Sequence, residues 1–177
     1  MSLLGKLFRR ALVLLGILIV AAIAVPSFLR ARVNSNEAAA IADTRRVQDA
    51  EQAYASANGG LFDDVSRLCK EGPDCLGIGI PGYPEDAPEF LDPEIARPSP
   101  YFKDGYEREW LPQGRPPVLS EGVSRSSVLD YCYRSTPRGR FTGVRSFSGS
   151  GARDIAHDPT GAPLLCPVPL AYRCHCE

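Results

Sequence analysis

The sequence predicts an α+β protein: a long, kinked N-terminal helix packed on a small antiparallel β-sheet, in a head that is loop-rich and disulfide-stapled. Three observations predict it. An apolar run from Ala11 to Leu29 passes into a charged, alanine-rich segment, Asn36 to Asn58, with no break in helical character. Beyond it, short runs rich in β-branched and aromatic residues alternate with turn-forming residues. All six cysteines lie after the apolar run.

The 177 residues suffice for one domain of ordinary size plus an anchor. They divide into a basic N-terminal stretch (1–10), an apolar half-helix (11–29), an amphipathic half-helix (30–57) and a cysteine-containing head (59–177). The formal net charge of −1 gives no case for nucleic-acid binding. Residues 1–58 carry seven Lys/Arg against four Asp/Glu, and residues 59–177 carry 13 against 17. The basic half owes its sign to residues flanking the apolar run, which reads as membrane topology rather than a binding patch.

Ala11–Leu29 is interrupted only by Pro26 and Ser27. Its length as a helix is roughly 28 Å, against a hydrocarbon core of about 30 Å. Lys6, Arg9 and Arg10 precede it and Arg30 and Arg32 follow, a bias that sets the N-terminus in the cytoplasm. Cysteines confined to the other side agree, because disulfides need an oxidising compartment. Ala22-Ile23-Ala24 also has the small-x-small form of a signal-peptidase site. Against cleavage stands the helix-forming segment that continues past Leu29. Pro26 lacks a backbone donor and crowds the carbonyl of Ala22, so a kink or a melted turn is expected between Ala22 and Pro26.

In the wet half, Ala40, Val47, Ala50 and Tyr54 follow helical spacing and form one apolar stripe, expected to pack on the sheet. Asp43, Arg46, Asp49 and Gln52 are expected largely elsewhere. Asn58-Gly59-Gly60 tolerates left-handed geometry and stops the helix.

Residues 59–177 hold 15 Pro and 14 Gly, so the head is expected to be a small core with staples. Cys69-Lys-Glu-Gly-Pro-Asp-Cys75 encloses a Gly-Pro turn that brings its sulfurs together. The expected strands are Tyr101–Tyr106, Val128–Arg134, Phe141–Phe147, Ile155–His157 and Leu164–Val168. Turns at Thr136–Gly139, Gly149–Gly151 and Pro159–Gly161 make them a meander.

Few residues invite chemistry. Gly77-Ile-Gly79-Ile-Pro-Gly82 matches a dinucleotide-binding fingerprint by letter only. That mechanism needs a strand before it and a helix after, and here a cysteine loop precedes and Pro81-Gly-Tyr-Pro84 follows. Cys174-His175-Cys176 with Cys166 has zinc-ligand types, but C-x-C is tight for zinc and disulfides are the default outside the cytoplasm. The pairs expected are Cys69–Cys75, then Cys132 with Cys166 or with Cys174 or Cys176. His157 before Asp158 reads as a strand-end histidine. No catalytic residue, metal site or cofactor is assigned, no small-molecule substrate is evident, and the chain is not read as an enzyme.

Ala21-Ala-Ile-Ala-Val-Pro-Ser-Phe-Leu-Arg-Ala-Arg32, followed by Asn36-Glu-Ala-Ala-Ala-Ile41 and Ala50-Glu-Gln-Ala-Tyr-Ala-Ser-Ala-Asn-Gly59, closely resembles the N-terminal helix of type IV pilins and type II secretion pseudopilins. That family reads A-A-I-A-I-P-N-F-L-x-A-R, then N-E-A-x-A-I, then A-Q-x-x-Y-x-x-x-N-G. The resemblance implies a ladle, with Pro26 at the family's helix break. It further implies a bacterial inner-membrane subunit, head in the periplasm or outside, that associates with itself or with other pilins through its helix. One departure stands out. Aligned on Pro26, the family's cleavage glycine falls at Leu4, the first mature residue at Gly5 and its conserved glutamate at Arg9. Sliding by one gives Gly5, Lys6 and Arg10. Either way the prepilin-peptidase site is lost and a basic residue replaces the acid. The resemblance thus implies a structural pilin-like or pseudopilin subunit, a minor or atypical component of a pilus or secretion filament. The alternative is a membrane-anchored or secreted cysteine-stapled binding module that reuses the fold without forming filaments.

Overall fold

The computed structural model describes residues 3–166. Its first element, α1, runs Leu3–Ala57. Those 55 residues extend roughly 80 Å. The helix is continuous through Ala22–Pro26, so the melted turn expected there does not form. Pro26 orphans a single carbonyl, that of Ala22, and the flanking Ala, Ile and Leu residues keep the ladder on both sides. The neighbouring carbonyl of Ile23 takes an extra bond from Ser27 Oγ at 2.8 Å. At the other end α1 stops as its sequence dictates. Gly59 and Gly60 adopt φ of +65° and +83°, and the Gly60 N–H closes back on the Ala55 carbonyl at 2.8 Å.

The head carries five strands: β1 (Tyr101–Lys103), β2 (Tyr106–Gln113), β3 (Asp130–Pro137), β4 (Ser146–Ser150) and β5 (Ile155–Asp158). They form one sheet in sequence order, every pair antiparallel, which is the expected meander. The expected bounds need correction in several places: β3 and β4 run on through Pro137 and Ser150, into the turns expected at Thr136–Gly139 and Gly149–Gly151. Tyr101–Tyr106 is two strands in part, because Asp104 and Gly105 take φ of +50° and +75° and turn the chain into a two-residue hairpin. Val128 lies outside β3 and makes an isolated bridge with Phe62. Phe141–Val144 is loop, with strand pairing beginning only at Ser146. Leu164–Cys166 forms no strand, and Pro167 and Val168 lie outside the described residues.

The strand missed beyond its first residue, β2, is the longest in the sheet together with β3. Its inward positions are Tyr106, Arg108 and Trp110. A central arginine breaks the apolar alternation by which a half-buried strand is recognised.

Two layers cover the sheet. On one face α1 packs across β3, β4 and β5. Val47, Ala50 and Tyr54 meet Trp110, Tyr131 and Tyr133, together with Leu68, Ile95 and other residues of the 61–100 loop. Ala40 joins Tyr106 and Phe147 in a second, smaller cluster. The helix lies so close that a Cβ on Gly149 would stand 2.8 Å from Thr44 Cγ2 and 2.9 Å from Gln48. On the other face the 161–166 segment is held by Ser146 Oγ donating to the Ala162 carbonyl, and by a Cys132–Cys166 disulfide. The second disulfide is Cys69–Cys75. Cys174 and Cys176 lie outside the described residues.

The two staples close loops of very different length, six residues apart in one case and 34 in the other. Removing Cys132–Cys166 by double serine substitution is expected to cost about 3–4 kcal/mol, and removing Cys69–Cys75 about 2–2.5 kcal/mol, by loop-closure entropy. Guanidinium unfolding of the two double variants, compared at equal m-value, checks the order.

Candidate functional site

The feature with the strongest claim to function is the half of α1 that touches no other element among the described residues. From Leu12 to Phe28 the large apolar side chains are exposed on every side of the helix, from 54% at Leu12 to 71% at Ile23. The best 18-residue window of this helix has a mean hydropathy of 2.8, and none of it is buried. By length and composition it is able to cross a membrane. An all-round apolar helix requires lipid or other helices around it. Arg9 and Arg10 project as exposed side chains at its start, and Arg30 and Arg32 at its end. Leu4, Gly5 and Lys6 belong to the same helical run.

What fixes this half in space is the seam between the wet half and the head. Ala40, Val47, Ala50 and Tyr54 are buried where the stripe put them. Interleaved with them are polar residues just as buried: Glu37, Asp43, Thr44, Gln48, Glu51 and Asn58. The expectation that Asp43 faces elsewhere is therefore corrected, while Arg46 and Asp49 are exposed as expected. Asp43 turns inward because the sheet supplies a cation. Its carboxylate accepts from Arg108 at 3.1 Å and pairs with Lys103 at 3.4 Å. Arg108 is itself fully buried, and its second arm donates to Ser135 Oγ at 2.6 Å.

Each further polar residue finds its own anchor. Glu37 accepts the backbone N–H groups of Val144 and Arg145 at 3.0 and 3.2 Å. It also takes the Arg145 guanidinium at 2.9 and 2.6 Å. Burial pushes the Glu37 carboxyl up, but these donors outweigh it and hold the pKa below the usual 4.5. Gln48 donates to the carbonyls of Ser150 and Asp154. Glu51 accepts from Trp110 Nε1 at 2.9 Å and from the Asp63 N–H at 3.4 Å. Here burial dominates and drives the carboxyl well above its ordinary value. Tyr54 donates to Asp63, which also accepts from Ser124 and Ser126. Asn58 ends the seam, accepting the Ser124 N–H and donating to Ser127 and the Leu61 carbonyl.

The signal for this seam was present but mute. Residues 37, 40, 44, 47, 51, 54 and 58 advance in alternating steps of three and four, so the polar members share the face of the apolar stripe. Nothing local announces that a carboxylate on that face has a partner some 60 to 100 residues away.

The other sequence motifs lie apart from this site. Gly77–Gly82 is loop, flanked by neither strand nor helix. With Arg67, Arg115 and Arg125, its Gly79 and Pro81 line an open hollow of about 590 Å³. His157 is exposed at the end of β5. Cys166 is committed to Cys132, and His175 lies outside the described residues with Cys174 and Cys176. Among the described residues no three His, Cys, Asp or Glu side chains converge on a common metal position. Among known proteins, no family model, no curated sequence and no solved structure matches this chain.

Two outcomes follow from the seam. Asp43→Ala strands a buried guanidinium and is expected to cost about 3–5 kcal/mol, whereas Asp43→Ala with Arg108→Met recovers most of that loss. Urea unfolding of the single and double variants measures it. Glu51 gives a pH signature. Because its folded pKa is raised, the folded state binds that proton more tightly, and stability falls as pH rises from 4.5 through the folded value. Glu37 acts in the opposite sense, its contribution being lost as pH falls from 4.5 through its lowered folded value. Glu51→Gln is therefore expected to gain stability relative to wild type at pH 7.5 but not at pH 4. Thermal unfolding at the two pH values checks this.

Proposed function

We propose that the chain is a membrane-anchored, non-enzymatic structural subunit of the type IV pilin and pseudopilin kind. In this reading Ala11–Leu29 lies in the bacterial inner membrane, with the N-terminus cytoplasmic and the head periplasmic. Helices of neighbouring subunits or other pilins meet through the apolar half of α1. The observation that carries the reading is that one unbroken helix joins an unburied apolar half to a half bolted to the head. A rigid mount of this kind transmits the position of the membrane or filament helix directly to the head. The pilin-like motifs from Ala21 to Gly59 and the proline at Pro26 support it.

A second reading keeps the anchor and drops the filament. It is favoured by Arg9 and Arg10, which stand where the family carries a glutamate. In a helical bundle that carboxylate is able to pair with a neighbour's terminal amine, and an arginine repels it. The chain is then an anchored or secreted cysteine-stapled binding module.

One set of measurements separates these. Full-length protein is expected to resist alkaline extraction from membranes, and its intact mass is expected to begin at Met1, or just after Leu4 or Gly5. A soluble product beginning at Val25 would overturn the anchor. Photo-crosslinking residues placed at Ile17 and Val20 are expected to give a ladder of homotypic or pilin adducts. Lipid adducts alone would support the second reading.

A further inference from the structure

The edge of the head nearest the apolar half of α1 is the Gly139–Arg145 loop. It is pinned to two consecutive helix residues. Asn36 Nδ2 donates to the Thr142 carbonyl at 2.8 Å, and Glu37 holds the N–H groups of Val144 and Arg145. The β1–β2 hairpin turn joins the same edge, where the Arg138 N–H donates to the Gly105 carbonyl at 3.0 Å. From Leu29 to this attachment the helix climbs seven or eight residues, about 10–12 Å. The polar headgroup layer on each side of a bilayer is about 5–7 Å deep. The remaining gap is within the reach of a large side chain.

The residues on this edge have an unusual composition for a solvated loop. Phe141 is 64% exposed, Phe102 55% and Val144 50%, three of the seven large apolar side chains that the described part of the head exposes. Among them stand exposed Arg138 and Arg140, with Arg138 lying over the Phe102 ring at 5.0 Å. Below, on the helix, are Arg30 and Arg32. None of these four arginines makes an ion pair among the described residues. The acids on the same side are Asp104 in the hairpin turn, Glu107 across from Phe102 in the β1–β2 register, and Asp158, whose carboxylate is occupied by Thr160. Counted together, the two loop and two helix arginines outnumber these three acids, and the edge with its stretch of helix is net positive.

We propose that this edge rests on the bilayer that α1 crosses, with Phe141, Phe102 and Val144 entering the interface and Arg138 and Arg140 taking the phosphates of anionic phospholipid headgroups. The proposal rests on the anchor reading above and adds a second, lateral contact to it. Aromatic rings with a cationic rim suit the headgroup layer, where one end of a side chain is wet and the other apolar. The contact holds the head at a fixed height and orientation over the membrane.

The test uses full-length protein in lipid nanodiscs, one chain per disc, with Phe141→Trp as reporter. Wild type, whose single Trp110 lies in the head core, is the blank. The reporter is expected to lose emission by about two-fold to phosphatidylcholine brominated near the headgroup end of its acyl chains. The loss is expected to deepen when phosphatidylglycerol is added. Arg138→Gln with Arg140→Gln is expected to abolish the phosphatidylglycerol dependence while leaving the chain in the disc. A chain that enters the disc but keeps an unquenched, solvent-like reporter overturns the contact and spares the anchor. A chain that never enters the disc overturns both. A reporter that is blue-shifted yet unquenched, and only in discs loaded with two or more chains, overturns the lipid contact in favour of a second head.

Discussion

Everything else in this molecule depends on how an amphipathic half-helix with six buried polar side chains is held against a small sheet. A wholly apolar stripe would leave the helix free to slide by a turn at little cost. Glu37, Asp43, Gln48, Glu51 and Asn58 remove that freedom, because each is buried and meets its partners in a single register. A shifted register would strand several polar groups at once, and every stranded group costs on the order of 1–3 kcal/mol. The seam fixes register more than it adds stability. The Asp43–Arg108 pair shows this, since its desolvation offsets most of its Coulombic gain.

Fixed register matters because α1 extends far beyond the head. Among the described residues its first half has no contact with the head, so its direction relative to the sheet is set from Asn36 onward. A helix of that length magnifies any rocking at its mount. Close approach reduces it, as at Gly149, where the sheet has no room for a side chain beneath Thr44 and Gln48. The Cys132–Cys166 link closes the opposite face and ties the last described residue to the strand at the sheet's centre. A head this poor in apolar bulk is thus held by polar register on one side and covalent closure on the other.

The proposed role follows from the division of labour along one helix. The apolar half provides an environment-seeking surface, and the seam makes the head follow it without a hinge. The loop edge at Phe141 and Val144 extends that logic, because its height above the apolar half is set by the same Asn36 and Glu37 contacts.

Much was legible in the sequence, and it was legible where the signal is local. The helix with its stop at Asn58-Gly59-Gly60, the stripe at Ala40, Val47, Ala50 and Tyr54, the short Cys69–Cys75 loop and the order of a meander all depend on neighbours a few residues apart. The candidate site was half legible. The apolar run announces itself, whereas the residues that mount it look like ordinary solvated charges. Strand β2 was hidden for the same reason, since Arg108 occupies an inward position that the carboxylate of Asp43, 65 residues earlier, makes tolerable. Phe141 looked like the start of a strand, yet Glu37 takes the Val144 and Arg145 N–H groups that a sheet would have used. By itself the sequence determined which segments are helix, turn and apolar surface. The tertiary structure alone decided which charges are buried, because a buried charge is stabilised by a partner distant in the chain.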